Sequence, residues 1–130
     1  DLPVVAIMLS KPGEFPEYHT SLDNLDIVTP AALSGSLELL KDCVELLEAN
    51  KNYRVTCLGE PQLGKRGLYP TLSSKTSKDS VNDLMNFIAY ADGSNDLVAI
   101  SNTINVPPWQ LYPIIEKLKT ASLLAEATTH

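Results

Sequence analysis

The sequence has few basic side chains and no long apolar run, and each shortage excludes a class of protein. Its 130 residues carry 10 Lys and Arg against 16 Asp and Glu, a net charge of −6. Because polyanions are bound largely through Lys and Arg, this charge argues against a general nucleic-acid binder. The longest apolar run, Val4–Leu9, is six residues. A helix needs roughly 20 apolar residues to cross a bilayer, so a transmembrane segment and a membrane partner are excluded.

The cysteine content and the start of the chain indicate its cellular location and its relation to a longer protein. Cys43 and Cys57 allow one disulfide bond at most, which favours reduced thiols and a cytoplasmic location. Apolar residues make up 44% and charged residues 20%, as in soluble globular proteins. The chain starts at Asp1 without an initiator Met and without the basic segment of a signal peptide. We therefore expect it to be part of a longer protein.

The first half of the sequence predicts a buried strand, a loop and a long helix. Val4–Leu9 is almost continuously apolar, which is typical of a strand covered on both faces. Residues 10–29 contain the prolines and the glycine of a long loop. Thr29 provides a helix N-cap and Pro30 the first helical position. The helix should run for about five turns, to Asn50, because apolar residues recur at steps of four and three: Leu33, Leu37, Leu40, Val44 and Leu47.

The middle of the sequence is less regular and predicts a domain boundary. Residues 53–58 indicate a short edge strand or an extended connection. Residues 59–78 have the glycine, proline, serine and threonine content of a linker or surface arm. We therefore predict three regions: residues 1–58 from an α/β domain, the linker at 59–78, and a second domain at 79–130.

The C-terminal region predicts two short helices in succession. Ser80, followed three residues later by Asp83, resembles a capping box at the start of the first helix, which ends at Asp92-Gly93. Asn95 or Asp96 then caps the second helix, whose apolar residues recur at steps of three and four.

A turn and a third helix complete the outline of a helix-turn-helix. The turn covers residues 105–107, and the apolar residues of the third helix are Leu111, Ile114, Ile115 and Leu118. Pro113 removes one backbone hydrogen bond, so either the helix kinks there or it begins at Tyr112-Pro113. Residues 123–125 could supply the wing strand of a winged helix.

His19 lies in the loop between the predicted strand and the long helix. By residue type alone, such a histidine is more often a partly exposed loop residue than a metal ligand. Its surroundings, Phe15-Pro16-Glu17-Tyr18-His19-Thr20-Ser21-Leu22-Asp23, resemble the last metal-ligand segment of two-zinc aminopeptidases. Three blocks, Gly13–Pro30, Glu60–Tyr69 and Asp92–Leu124, make most of the chain similar to the C-terminal part of bacterial aminopeptidase-like proteins. Those proteins are associated with polysaccharide biosynthesis and end in a winged helix-turn-helix.

The resemblance implies a metal-binding role for one residue of this chain. It assigns a zinc-ligand role to His19, with two zinc ions bound in the intact protein. Tyr18, Asp23 and Glu17 would shape the site. The remaining ligands and the general-base glutamate would lie upstream of Asp1. Because a hydrolytic zinc needs about three protein ligands plus water, we expect the 130-residue chain alone neither to hold zinc firmly nor to hydrolyse peptides.

Two further pairs of residues could contact partners. Lys65 and Arg66 stand between two glycines; they could hold an anion or a substrate carboxylate, although docking on a neighbouring domain is the stronger interpretation. Trp109 and Tyr112 favour a protein or domain interface, with ordinary helix packing an equal alternative. DNA is a weaker candidate, because residues 81–130 carry 2 Lys, no Arg and 5 acidic side chains.

These observations predict one fold class, one function and one alternative. The fold class is an α/β fragment (strand, metal-site loop and long helix of an aminopeptidase-like fold) followed by a small, mainly α winged helix-turn-helix domain. The resemblance implies the C-terminal portion of a zinc-dependent hydrolase, acting on a peptide or amino-acid amide together with an upstream catalytic domain. The alternative is a non-catalytic peptidase-like scaffold whose winged helix binds a protein or, less readily, DNA.

A prediction about folding follows from the isolated strand. Because Val4–Leu9 lacks its sheet in this sequence, we expect the N-terminal half to be unstable or to form a homo-oligomer unless another chain covers it. Residues 79–130, by contrast, could fold alone.

Overall fold

The computed structural model describes residues 2–69 and 75–127. The chain divides into two compact units, Asp1–Leu47 and Glu48–His130. The sequence predicted a division further along, with a linker at 59–78. Residues 70–74 of that predicted linker, and residues 128–130 of the predicted winged helix, lie outside the described residues. In the described part of the chain, no helix combines the length and the apolar character needed to cross a membrane.

The first unit contains a segment of turns followed by a long helix. The predicted strand at 4–9 is not formed; these residues adopt no regular structure and are exposed, with Val4 81% exposed. The physical reason is that a buried strand requires neighbouring strands to satisfy its backbone groups. Among the described residues of this unit there is no such strand.

The long helix α1 spans Pro30–Ala49, as the sequence predicted. The Thr29 hydroxyl accepts a hydrogen bond from the Ala32 N–H at 3.1 Å, which satisfies one of the free donors of the first turn. None of the α1 side chains is buried, and most of the leucines in its apolar stripe are exposed: Leu33, Leu37, Leu40 and Leu47.

The second unit is built on a small antiparallel sheet. Its strands are β1 (Asn52–Val55), β2 (Asp92–Asp96) and β3 (Leu124–Glu126), in the order β2-β1-β3. The strand predicted as an edge or connection is therefore the central strand, because β2 and β3 pair on its two sides. β2 was not predicted, since its residues have the composition of a turn. β3 confirms the predicted wing strand.

Three helices pack beside this sheet. They are α2 (Lys75–Tyr90), α3 (Leu97–Ile104) and α4 (Pro108–Thr120). The predicted start of α2 at Ser80 was wrong, because the helix begins five residues earlier. α4 begins at Pro108 and continues past Pro113 to Thr120. A start at Tyr112-Pro113 is thereby excluded. Proline in the first turn of α4 costs little, since the N–H it lacks would have had no helical partner.

The core of the second unit draws on the sheet, on all three helices and on the predicted linker. Leu63 opens a 3₁₀ helix, Leu63–Arg66, and is only 1% exposed. The other large side chains with almost no exposure are Phe87, Leu97, Ile100, Leu111, Leu118 and Leu123. Because Leu63 and the central strand lie upstream of residue 79, the core is not confined to residues 79–130.

The start of the second unit is fixed by a hydrogen-bond network at the N-terminus of α3. Asp96 caps α3, accepting the Ala99 N–H at 2.7 Å. Asn50 accepts the Val98 N–H at 3.0 Å and donates to the second carboxylate oxygen of Asp96 at 3.2 Å. Two side chains thus satisfy donors of the same helix end, which ties the residue after α1 to α3.

Candidate functional site

The segment around His19 is a series of tight turns. The Thr20 hydroxyl donates to the Glu17 carbonyl at 2.8 Å and accepts the Leu22 N–H at 3.2 Å. The Thr20 carbonyl accepts the Asp23 N–H at 3.2 Å. Short polar side chains of this kind replace the ladder bonds of a helix or strand. The turns expose His19 and Asp23, while Glu17 is partly buried.

The imidazole of His19 is oriented by aromatic stacking. Its ring lies parallel to that of Tyr18, with centroids 4.1 Å apart and planes 18° apart. Tyr18 in turn makes an edge contact with Phe15 at 5.5 Å and 72°. The backbone of His19 has φ of 58°, the left-handed region that few non-glycine residues adopt. Stacking of this kind contributes about 0.5–1.5 kcal/mol beyond area burial.

As a metal centre, the described part of this chain is incomplete. Zinc in catalytic sites takes about three protein ligands, and in the described residues no group of three or more His, Cys, Asp and Glu is placed to hold an ion. His19 could serve as one ligand, because neither ring nitrogen has a hydrogen-bond partner among the described residues. The structure does not bring Glu17 and Asp23 together with His19 into a site.

Lys65 and Arg66 have different surroundings although they are adjacent. Arg66 donates from Nε to the Pro61 carbonyl at 3.1 Å and from Nη1 to the Ala121 carbonyl at 3.2 Å. The guanidinium therefore holds the 3₁₀ helix against the end of α4 within the second unit. Lys65 is exposed. Arg66 is exposed as well, but two of its donors are used within the second unit, whereas Lys65 makes no such contact among the described residues.

A second candidate site lies where α4 faces β1 and β3. A cavity of about 150 Å³ is lined by the residues Glu48, Ala49, Tyr53, Tyr112, Ile115, Glu116, Lys119 and Glu126. Trp109, one turn before Tyr112 on α4, is 63% exposed. The two residues predicted to form an interface therefore have different surroundings. Tyr112 lines the cavity and is partly buried, whereas Trp109 projects into solvent.

The charges in this cavity are partly balanced by Lys119. Its ammonium lies 2.9 Å from a Glu126 carboxylate oxygen and 5.4 Å from the centre of the Tyr53 ring. The hydrogen bond to Glu126 raises the pKa of Lys119, and the same bond lowers the pKa of Glu126. Burial raises the pKa of Tyr53, whose hydroxyl donates to the Ala49 carbonyl at 2.9 Å.

Sequence reasoning missed this cavity, because its residues come from four separate elements. Glu48 lies in the last turn of α1, Tyr53 in β1 and Glu126 in β3, and the strand register places Tyr53 opposite Glu126. The sequence around Tyr53 gave only a weak indication of a strand, because apolar and polar residues alternate little there. The three acidic side chains are spread along the sequence and form no motif.

Two families match this chain. Residues 51–126, more than half of the chain, match a family described as winged helix-turn-helix. Residues 1–50 match a family described as a domain of unknown function (DUF4910). The change of family falls near the start of the second structural unit, at Glu48.

A sequence relative and a solved structure that match this chain both come from Clostridium acetobutylicum. A protein named as a candidate for polysaccharide biosynthesis with an aminopeptidase-like domain is 33% identical over 103 residues, which is 78% of this chain and 24% of that protein. The crystal structure of a candidate peptidase matches 86% of this chain and 24% of its own, with a TM-score of 0.69 and 26% identity. This chain thus spans about a quarter of the length of the relatives it matches.

These matches confirm the resemblance to aminopeptidase-like proteins and the fold class inferred from the sequence. They also agree with the three helices and the wing strand of the second unit. The chain is similar to part of a protein with an aminopeptidase-like domain, and it belongs to the winged helix-turn-helix family.

Proposed function

We propose that this chain is the C-terminal portion of a zinc-dependent aminopeptidase-like hydrolase, in which His19 supplies one metal ligand and the winged helix is an interaction module. The observation that carries the proposal is the exposed, stacked imidazole of His19, whose ring nitrogens have no partner among the described residues. The relatives' names support the hydrolase class. The substrate would be a peptide or an amino-acid amide.

The residues beside His19 would position it rather than react. Stacking on Tyr18 restricts the rotation of the imidazole, and the turn held by the Thr20 hydroxyl maintains its left-handed backbone. Such preorganisation lowers the entropic cost of binding an ion. Glu17 and Asp23 would accept hydrogen bonds near the site. Zinc, when bound with ligands from the rest of the protein, would activate water for attack on the amide carbonyl.

The test is the metal content and aminopeptidase activity of the intact protein beside its His19→Ala variant. We expect two zinc ions per wild-type chain and hydrolysis of amino-acid amides. Loss of a residue that only supports a ligand typically weakens metal affinity or activity by roughly 10–100-fold. Because His19 would be a direct ligand, His19→Ala should weaken zinc binding and activity at least as much.

The matched control is Ser21→Ala, because Ser21 is exposed in the same loop and makes no hydrogen bond in the described structure. This variant should keep wild-type metal content and activity. An intact protein that binds no zinc and hydrolyses no amide would contradict the proposal and favour the non-catalytic scaffold. Equal losses in the two variants would also contradict a ligand role for His19.

A further inference from the structure

We infer that the α4 face formed by Trp109, Tyr112 and Glu116, with the cavity beside it, docks an arginine-containing segment of a partner protein. This inference names the partner class for the interaction role proposed above for the winged helix. It rests on the geometry of the second unit alone and is independent of zinc.

The first argument is the unbalanced charge of the cavity. It is lined by the carboxylates of Glu48, Glu116 and Glu126, against the single ammonium of Lys119. Lys119 pairs with Glu126. In the described part of the chain, Glu48 and Glu116 have no ion pair or hydrogen bond from their side chains. Glu116 does interact electrostatically with Lys119, but the cavity lining still holds two more carboxylates than ammonium groups. A cation could therefore enter the cavity.

The second argument is the aromatic wall. Tyr53 and Tyr112 line the cavity, but Tyr53 is only 2% exposed and already has the Lys119 ammonium 5.4 Å from its ring centre. Tyr112 is partly exposed and is therefore the ring that an incoming cation would meet. A guanidinium is planar, stacks on aromatic rings and binds carboxylates through several donors, so it fits this combination better than an ammonium. The cavity, at about 150 Å³, holds roughly five times the 30 Å³ share of one water. That volume accommodates a side-chain head group.

The third argument is the exposed tryptophan beside the cavity. Trp109 and Glu116 stand seven residues apart on α4 and therefore share one helix face. Trp109 is 63% exposed and lies one turn before Tyr112, which lines the cavity. Tryptophan is enriched among the residues that dominate the binding energy of protein interfaces. Trp109 would cover an apolar residue next to the bound arginine. An acidic, aromatic surface of this kind excludes nucleic acid and favours a basic segment.

The experiment uses the tryptophan emission of the full chain, since Trp109 is its sole tryptophan. The probe is a short glycine–serine peptide carrying one arginine and a nearby leucine. We expect a saturable change in emission that weakens with added salt. In Glu116→Gln and in Glu48→Gln, the dissociation constant should rise by about tenfold, because each variant removes a charged acceptor. Both side chains are exposed, so the variants should fold normally.

The matched control is Glu45→Gln, an equal change of charge at an exposed position of α1. It should leave the dissociation constant unchanged. The inference would be overturned if the dissociation constant rose equally in Glu45→Gln, or if the response did not saturate. It would also be overturned if a peptide with glutamate in place of arginine bound equally well. Free arginine amide binding as tightly as the peptide, or a response to duplex DNA alone, would likewise overturn it. None of these readouts depends on metal or hydrolysis, so failure here is distinct from failure of the hydrolase proposal.

Discussion

α1 and α4 carry the same kind of apolar stripe, but only one of the two stripes is covered. Leu37 of α1 is 53% exposed, whereas Leu111 of α4 is fully buried. Both helices are read easily from the spacing of their apolar residues. The spacing fixes which side chains share a face, and it leaves open what covers that face. The comparison shows that amphipathicity is local, whereas burial depends on a partner element.

The two units also differ in whether their extended segments find backbone partners. In the second unit, β1 obtains partners on both sides from residues about 40 and 70 positions along the chain. In the first unit, Val4–Leu9 is as apolar as many core strands but has no partner among the described residues, and it remains irregular and exposed. A strand is stabilised by its neighbours and not by its own sequence.

The largest expected difference between the regions is in the cost of removing a leucine. Leu111→Ala should lower the free energy of unfolding by about 2–5 kcal/mol, because it leaves a cavity in the core of the second unit. Leu37→Ala should lower it by less than about 1 kcal/mol, because the side chain is already half exposed. Urea unfolding measures both losses, followed by Trp109 emission for Leu111→Ala and by helical circular dichroism for Leu37→Ala. Equal losses would show that the α1 face is covered in solution.

The helix caps provide a smaller contrast. Asp96→Ala should lower the stability of the second unit by about 1 kcal/mol, because Asp96 caps α3 and holds Asn50. Thr29→Ala removes the cap of α1. It should reduce helical circular dichroism without moving the unfolding midpoint reported by Trp109. A shift of that midpoint in Thr29→Ala, as large as in Asp96→Ala, would contradict this prediction and show that the α1 cap also stabilises the second unit.

The smallest expected effect concerns the ion pair of Lys119 and Glu126. The pKa of Glu126 is lowered in the folded protein, so its carboxylate stabilises the fold at pH values above the ordinary carboxyl pKa. This contribution to the free energy of unfolding is lost as the pH falls through the lowered pKa. Because the pKa of Lys119 is raised, its contribution is present below the ordinary amine pKa and is lost as the pH rises through the raised value.

Glu126→Gln measures this contribution directly. At neutral pH the variant should be less stable than wild type by no more than about 1 kcal/mol, since the pair is partly exposed. The difference should shrink in acid, as urea unfolding at several pH values would show. Glu14→Gln is the matched control, because it breaks the exposed pair with Lys11 in the first unit. A pH-independent difference for Glu126→Gln would rule out the ion pair as its cause.

The sequence was most informative where structure depends on neighbouring residues. Thr29 and Pro30 marked the start of α1, Asp96 was one of the two residues predicted to cap α3, and the wing strand was found within one residue. Caps and helical spacing act over three or four residues, so a short window contains all the information. The resemblance of the segment around His19 to a metal-ligand segment made that loop a candidate site, although the stacking of Tyr18 on the imidazole could not be anticipated.

The remaining features were decided by the tertiary structure. β2 consists of turn-forming residues and becomes a strand only because Asn52 and Arg54 pair with it. Leu63 was assigned to a linker and is a core residue. The cavity beside α4 exists only because β1 and β3 pair in one register and place Tyr53 opposite Glu126. Long-range pairing selects among many compatible partners, and that choice depends on the packing of the whole unit and not on any short stretch of sequence.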